Sequence, residues 1–80
     1  KEVVATDVDV YPNPSAGVFK LQLGDIQSEI VVYNAMGQVV YRVAGVANDI
    51  EIDLSDANAG MYFINVKNSE MEVTKKVTIL

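Results

Sequence analysis

The 80-residue sequence has no cysteine and no histidine, which rules out a disulfide staple and removes the thiolate and imidazole ligands on which most transition-metal sites depend. The same absences strip nucleophilic catalysis of its common parts. What remains is a serine or threonine served by lysine, and Ser15, Ser28, Ser55 and Ser69 all fall in stretches that read as turns. No apolar run approaches the roughly 18 residues of a membrane-spanning helix. The opening Lys1-Glu2-Val3-Val4-Ala5 has neither the apolar core nor the cleavage site of a signal peptide. Positive charge is scarce: six Lys and Arg stand against eleven Asp and Glu, and at a net charge of −5 the chain would be repelled by nucleic acid and by an anionic membrane face. The lack of cysteine leaves the compartment open, because periplasmic and surface domains lack disulfides as readily as cytosolic ones.

Half of the positions are hydrophobic, enough for one core and no more. Size scaling buries about 60% of the unfolded surface at this length, so a small core must hold the fold by packing alone, and stability is expected to be modest.

The dominant pattern is alternation of period two, which puts apolar side chains on one face of an extended strand. Seven segments show it or come close. Val8 and Val10 alternate with Asp7, Asp9 and Tyr11, and Phe19, Leu21 and Leu23 with Val18, Lys20 and Gln22. Ile30 to Tyr33 is a short apolar run of the kind a strand covered on both faces shows. Val39, Tyr41 and Val43 alternate with Val40 and Arg42, and Ile50, Ile52 and Leu54 with Asp49, Glu51 and Asp53. Tyr62, Ile64 and Val66 alternate with Phe63, Asn65 and Lys67, and the last run is Met71 to Leu80. Turn signals separate them: Pro12 to Gly17, Gly24-Asp25, Asn34 to Gly37, Gly45 to Asn48, Ser55 to Gly60 and Asn68-Ser69. Helical spacing is absent. The pattern predicts an all-β, immunoglobulin-like antiparallel β-sandwich of about seven short strands over residues 7–80, with residues 1–6 as the end of a linker.

Pro12-Asn13-Pro14 removes two backbone donors and fixes φ twice, so the first strand must end in a rigid corner, from which Gly17 lets the chain reverse. A preordered exposed corner of this kind also suits recognition, because little entropy is lost when a partner binds it. Asn34-Ala35-Met36-Gly37 reads as a hairpin loop whose Met36 either packs beneath it or serves as a docking contact. Gly60-Met61-Tyr62, entering a strand after Ser55 to Ala59, has the form of a tyrosine corner, in which the phenol bonds to upstream backbone. Asp49, Glu51 and Asp53 share one strand face; such a row can hold calcium or simply be solvated. No phosphate-cradling loop precedes a helix, and nothing supplies the apolar cleft a paired-carboxylate hydrolase needs.

The final Thr74-Lys75-Lys76-Val77-Thr78-Ile79-Leu80 reads as a strand running to the last residue. Lys75 and Lys76 either guard an edge against aggregation or belong to a segment that a receptor reads, by strand addition or by capture of a free carboxylate.

Five blocks in register carry a family resemblance: Tyr11-Pro12-Asn13-Pro14-x-x-Gly17; Ile30-Val31-Val32-Tyr33-Asn34-x-x-Gly37-Gln38-Val39-Val40; Ile52-Asp53-Leu54-Ser55; Ala59-Gly60-Met61-Tyr62-Phe63-Ile64; and Thr74-Lys75-Lys76-Val77. Over residues 8 to 80 the chain resembles the type A C-terminal sorting domain of the type IX (Por) secretion system of Bacteroidota. The resemblance implies an immunoglobulin-like cargo tag with no catalytic group and no cofactor. Its implied partners are the outer-membrane translocon, its sortase and an upstream cargo domain in the same polypeptide, with no nucleic acid and no direct membrane insertion. The implied route is the periplasm in transit, then the outer membrane, cell surface or medium, with cleavage in or before residues 1–6. Carried over by residue, Pro12, Asn13, Pro14, Gly17, Gly37, Gly60 and Tyr62 are motif positions with structural roles, and Lys75, Lys76, Val77, Thr78, Ile79 and Leu80 form the translocon-recognition segment. The competing reading is an adhesion or carbohydrate-binding sandwich module, for which the absence of tryptophan is unfavourable.

Overall fold

The computed structural model describes residues 8–80; the expected linker at residues 1–6, together with Asp7, lies outside them. Five strands form one antiparallel sheet: β1 (Asp9–Tyr11), β2 (Val18–Asn34), β3 (Val39–Asp53), β4 (Gly60–Lys67) and β5 (Glu72–Ile79). The all-β class read from the alternation stands, but the expected seven short strands are five among the described residues. Gly24-Asp25 and the Gly45 to Asn48 stretch are not loops. They lie opposite each other inside one long β2–β3 hairpin, where the register shifts between Gln22 and Gly24 and again towards Ser28 and Ile30. Gly24, Gly45 and Asn48 take positive φ there, so the turn residues bend and bulge the strands without ending them. Ser28, expected in a turn, is consequently a strand residue.

The bend gives β2 two sets of neighbours. Along one edge it pairs with β3; along the other, Lys20 to Gln22 pair with β1 and Glu29 to Asn34 pair with β4. The sheet therefore folds over itself. Phe19, Leu21 and Ile52 from one half meet Ile30, Val32, Ile64, Val66 and Val77 from the other in one buried cluster. The period-two pattern explains the faces: Tyr62, Ile64 and Val66 are buried while Phe63 and Asn65 between them are only half covered. Ile30, Val31 and Val32 are all buried, as their unbroken apolar run implies.

The β4–β5 turn is tied down by Asn68, whose Oδ1 accepts the N–H groups of Glu70 (2.8 Å) and Met71 (3.0 Å) while Nδ2 donates to Ser28 Oγ at 3.1 Å. This contact anchors the turn that launches β5 to the bend of β2. The expectation that the last strand reaches the final residue needs a small correction: β5 ends at Ile79, and Leu80 is exposed.

Candidate functional site: the Pro12–Ser15 corner on the last strand

Residues directly opposite in an antiparallel pair share a face, so the β4–β5 register sorts the last strand. Lys75 lies opposite Ile64 and Val77 opposite Tyr62, on the core side; Lys76 lies opposite Phe63 and Thr78 opposite Met61, on the outer side. Lys75 and Lys76 are neighbours in sequence but point to opposite faces, Lys75 half-buried and Lys76 exposed.

The corner after β1 runs along the outer edge of this strand. Asn13 Nδ2 donates to the Lys76 carbonyl at 3.2 Å, and Asn13 Oδ1 accepts the Thr78 N–H at 3.1 Å. Two residues on, the Ser15 N–H donates to the Thr78 carbonyl at 3.0 Å and the Ser15 carbonyl accepts the Leu80 N–H at 2.9 Å. Ser15 and Ile79 form a parallel bridge. A primary amide has the donor and acceptor of a peptide group, so the Asn13 side chain continues the ladder where Pro12 and Pro14 have no N–H to offer.

Local chemistry sets the corner. Ser15 is buried; its Oγ accepts the Gly17 N–H at 3.0 Å and donates to the Val18 carbonyl at 2.8 Å, closing the reversal into β2. Gly17 sits at φ 120°, and a Cβ there would lie 2.8 Å from Ser55 Cα. No side chain fits. The Gly17 carbonyl accepts the Leu54 N–H at 2.6 Å, which fastens the corner to the end of β3. Sequence reading named Pro12, Asn13, Pro14 and Gly17 but missed Ser15, for which a hydroxyl two residues before a glycine was the available signal.

Tyr62 forms the expected corner: its Oη donates to the Asn58 carbonyl at 2.7 Å, pinning the crossover from β3 to β4. Gly60 opens β4 at φ 142° with open space where a Cβ would be. In the hairpin loop the Gly37 N–H bonds to the Asn34 carbonyl at 3.0 Å, and Asn34 Oδ1 accepts the N–H groups of Met36 and Gln38. Met36 does not pack beneath this loop. It is 80% exposed, because the four-residue hairpin spends its interior on Asn34. Met36 and Met61 flank a shallow hollow of about 200 Å³ that Asn58 and Tyr62 also line.

Charge is unevenly spread. Asp49, Glu51 and Asp53 are exposed on one outer face of β3, with Asp9 across Gln22 from Asp49. Among the described residues no three acidic side chains come together as a metal-binding group. The Asp53 carboxyl is held below its ordinary range, first by the Ser55 hydroxyl and then by the Ser55 N–H, which donates to Oδ1 at 2.9 Å. Arg42, Lys67, Lys75 and Lys76 lie in the other half of the sheet, where Lys67 faces Glu29 and Glu72, while Lys20 sits opposite Glu51 within the acidic half.

These features define a class: a small antiparallel β domain whose most elaborated surface is a strand edge guarded by its own chain. Residues 9–80 match the family described as secretion system C-terminal sorting domain, and the chain belongs to that family. It is also similar to beta-agarase A of Zobellia galactanivorans, 33% identical over 75 residues covering 91% of this chain and 14% of the agarase. A second relative is ulvan lyase NLR42 of Nonlabens ulvanivorans, 35% identical over 68 residues, 82% of this chain and 13% of the lyase. The chain thus spans about one-seventh of the length of these curated relatives. The domain is the sorting signal of type IX secretion and is not itself catalytic; the enzymatic names of the relatives belong to the rest of those proteins. Its place in export ties it to the secretion machinery, to attached cargo and to a secreted or cell-surface destination.

Proposed function

We propose that this domain carries a cargo from the periplasm through the outer-membrane type IX translocon by presenting β5, residues Lys75 to Leu80, to a translocon component, after which a sortase removes it at or before residues 1–6 and attaches the cargo to the surface. The observation that carries the reading is the corner on β5: the first motif and the last one, separated by more than sixty residues, form one hydrogen-bonded unit. Motif positions that serve only the core would not need to meet at an exposed edge. The glycines and Tyr62 hold the scaffold, and the edge of β5 is the element left to be read. Deleting residues 75–80 from the chain behind a secreted fluorescent reporter, in a bacterium that has the secretion system, should retain the reporter in the cell. Undiminished release would refute the assignment.

A second reading has one observation in its favour. Tyr33 and Phe63 lie directly opposite on the outer face, beside Lys76, as a sugar-binding surface could be built. A glycan array separates the two, since a sorting signal predicts no glycan binding that a Phe63→Ala change removes.

A further inference from the structure

The outer edge of β5 is occupied unevenly. From Lys76 to Leu80 the corner supplies four hydrogen bonds, two from one side-chain amide and two from one backbone residue. In the antiparallel ladder the outward groups alternate, so the same edge continues at Thr74 and Glu72, which lie opposite Asn65 and Lys67 in the same phase as Thr78 opposite Met61. No strand among the described residues pairs with that stretch.

The corner itself is lightly held. Pro12, Asn13, Pro14 and Ala16 are exposed, and its burial is confined to Ser15 and Gly17. Its two ends are fixed elsewhere, Tyr11 in β1 and Gly17 on Leu54. Lifting the middle would break the four edge bonds and expose Ser15, whose two Oγ bonds are local, to Gly17 and Val18. An unprotected strand edge pairs readily with other chains, and a segment with two prolines covers it without becoming a template in turn.

We propose that the Pro12–Ser15 corner is a built-in stand-in for a partner strand, and that the export machinery binds the domain by strand addition: an extended segment of a machinery protein displaces the corner and pairs along β5 from Glu72 to Leu80. This rests on the reading of β5 as the recognition element. The exchange is nearly balanced in hydrogen bonds between Lys76 and Leu80, since the incoming strand remakes what the corner gives up. The additional pairing at Thr74 and Glu72 then tips it towards the partner. Recognition is through the backbone, which suits a tag that must serve one machine on many cargoes. The Ser15–Ile79 bridge is parallel, so a partner that takes over its register also runs parallel to β5.

The test uses the chain behind a fluorescent reporter with a signal peptide, in a bacterium carrying the secretion system, followed by pulse-chase. Retention of the unmodified fusion would remove the sorting reading itself. Given export of that fusion, Thr74→Ala and Thr74→Pro form a matched pair. Both lose the Asn65 contact to Thr74 Oγ1, but only proline removes the outward N–H. Thr74→Ala should export normally, and Thr74→Pro should lose about tenfold or more while melting close to Thr74→Ala in the purified chain. Equal export of the two overturns strand addition. If Thr74→Pro does not fold, Asn13→Ala decides. It should speed exchange of the Thr78 amide by about tenfold and shorten the export half-time, because the stand-in is weakened. Unchanged or slower export of the folded variant overturns displacement.

Discussion

Asn13 Oδ1 accepts the Thr78 N–H at 3.1 Å across 65 positions of sequence, so the corner after the first strand finishes the edge of the last. Replacing Asn13 with Ala removes both bonds to β5, including the 3.2 Å donation to the Lys76 carbonyl. At about 0.5–1.5 kcal/mol for each net bond, the expected loss is about 1–2 kcal/mol at this exposed site, read from the urea midpoint at unchanged slope. Asn13→Asp keeps the acceptor for Thr78 and should lose less.

Tyr62→Phe tests the crossover pin. The ring stays in the core, and the hydroxyl that donates to the Asn58 carbonyl at 2.7 Å is lost. Chemical denaturation should show a loss of about 0.5–1.5 kcal/mol with the circular dichroism spectrum unchanged. A loss of zero would mean that the hydrogen bond contributes no net stability.

Gly17→Ala and Gly37→Ala separate close approach from backbone conformation. Both positions have positive φ, but a Cβ at Gly17 meets Ser55 Cα at 2.8 Å and the Leu54 carbonyl oxygen at 3.0 Å, whereas Gly37 has open space. Gly37→Ala should cost about 1–2 kcal/mol for the left-handed conformation alone. Gly17→Ala should cost clearly more, since the backbone of both the corner and β3 must shift; equal melting temperatures would contradict this.

Acid titration of stability should show the contribution of Asp53. Its folded pKa lies below the ordinary 3.8, through hydrogen bonds from the Ser55 hydroxyl and N–H. The ionised form is the one stabilised, so the contribution is complete above the unfolded pKa and disappears as pH falls from there through the folded value. In urea midpoints measured from pH 6 downwards, Asp53→Asn should be flatter than the parent below pH 4. Parallel curves would show that the Ser55 contacts do not favour the carboxylate.

Much of the chain was legible before its structure. The alternation at Tyr62, Ile64 and Val66 marks a strand with one buried face, and those three side chains are buried. The Gly-x-Tyr spacing at Gly60 and Tyr62 forecasts a phenol that reaches upstream backbone, and Asn58 is its acceptor. Both signals are local: they depend on pleat and turn chemistry within a few residues.

Two elements were misread for the same reason in opposite directions. Gly24 and Gly45 look like turn residues, and propensity alone cannot tell a loop from a bulge; here Gly24 faces Asn48, Gly45 lies between the partners of Ser28 and Ile30, and the hairpin continues through both. Met36 is apolar, and of the two readings its loop allowed the packing one fails: the loop is closed by Asn34 and leaves the side chain in water.

The sequence by itself determined the strand faces, the corner at Pro12 and Pro14, the reversal at Gly17 and the lack of cysteine and histidine, because each follows from a residue and its near neighbours. Only the tertiary structure decided that β2 belongs to both halves of the sheet, that Lys75 and Lys76 stand on known faces, and that Asn13 and Ser15 complete the edge of β5. Those relations join residues far apart in the chain, and hydrogen bonding across such separations is set by strand order and register, which no local pattern encodes.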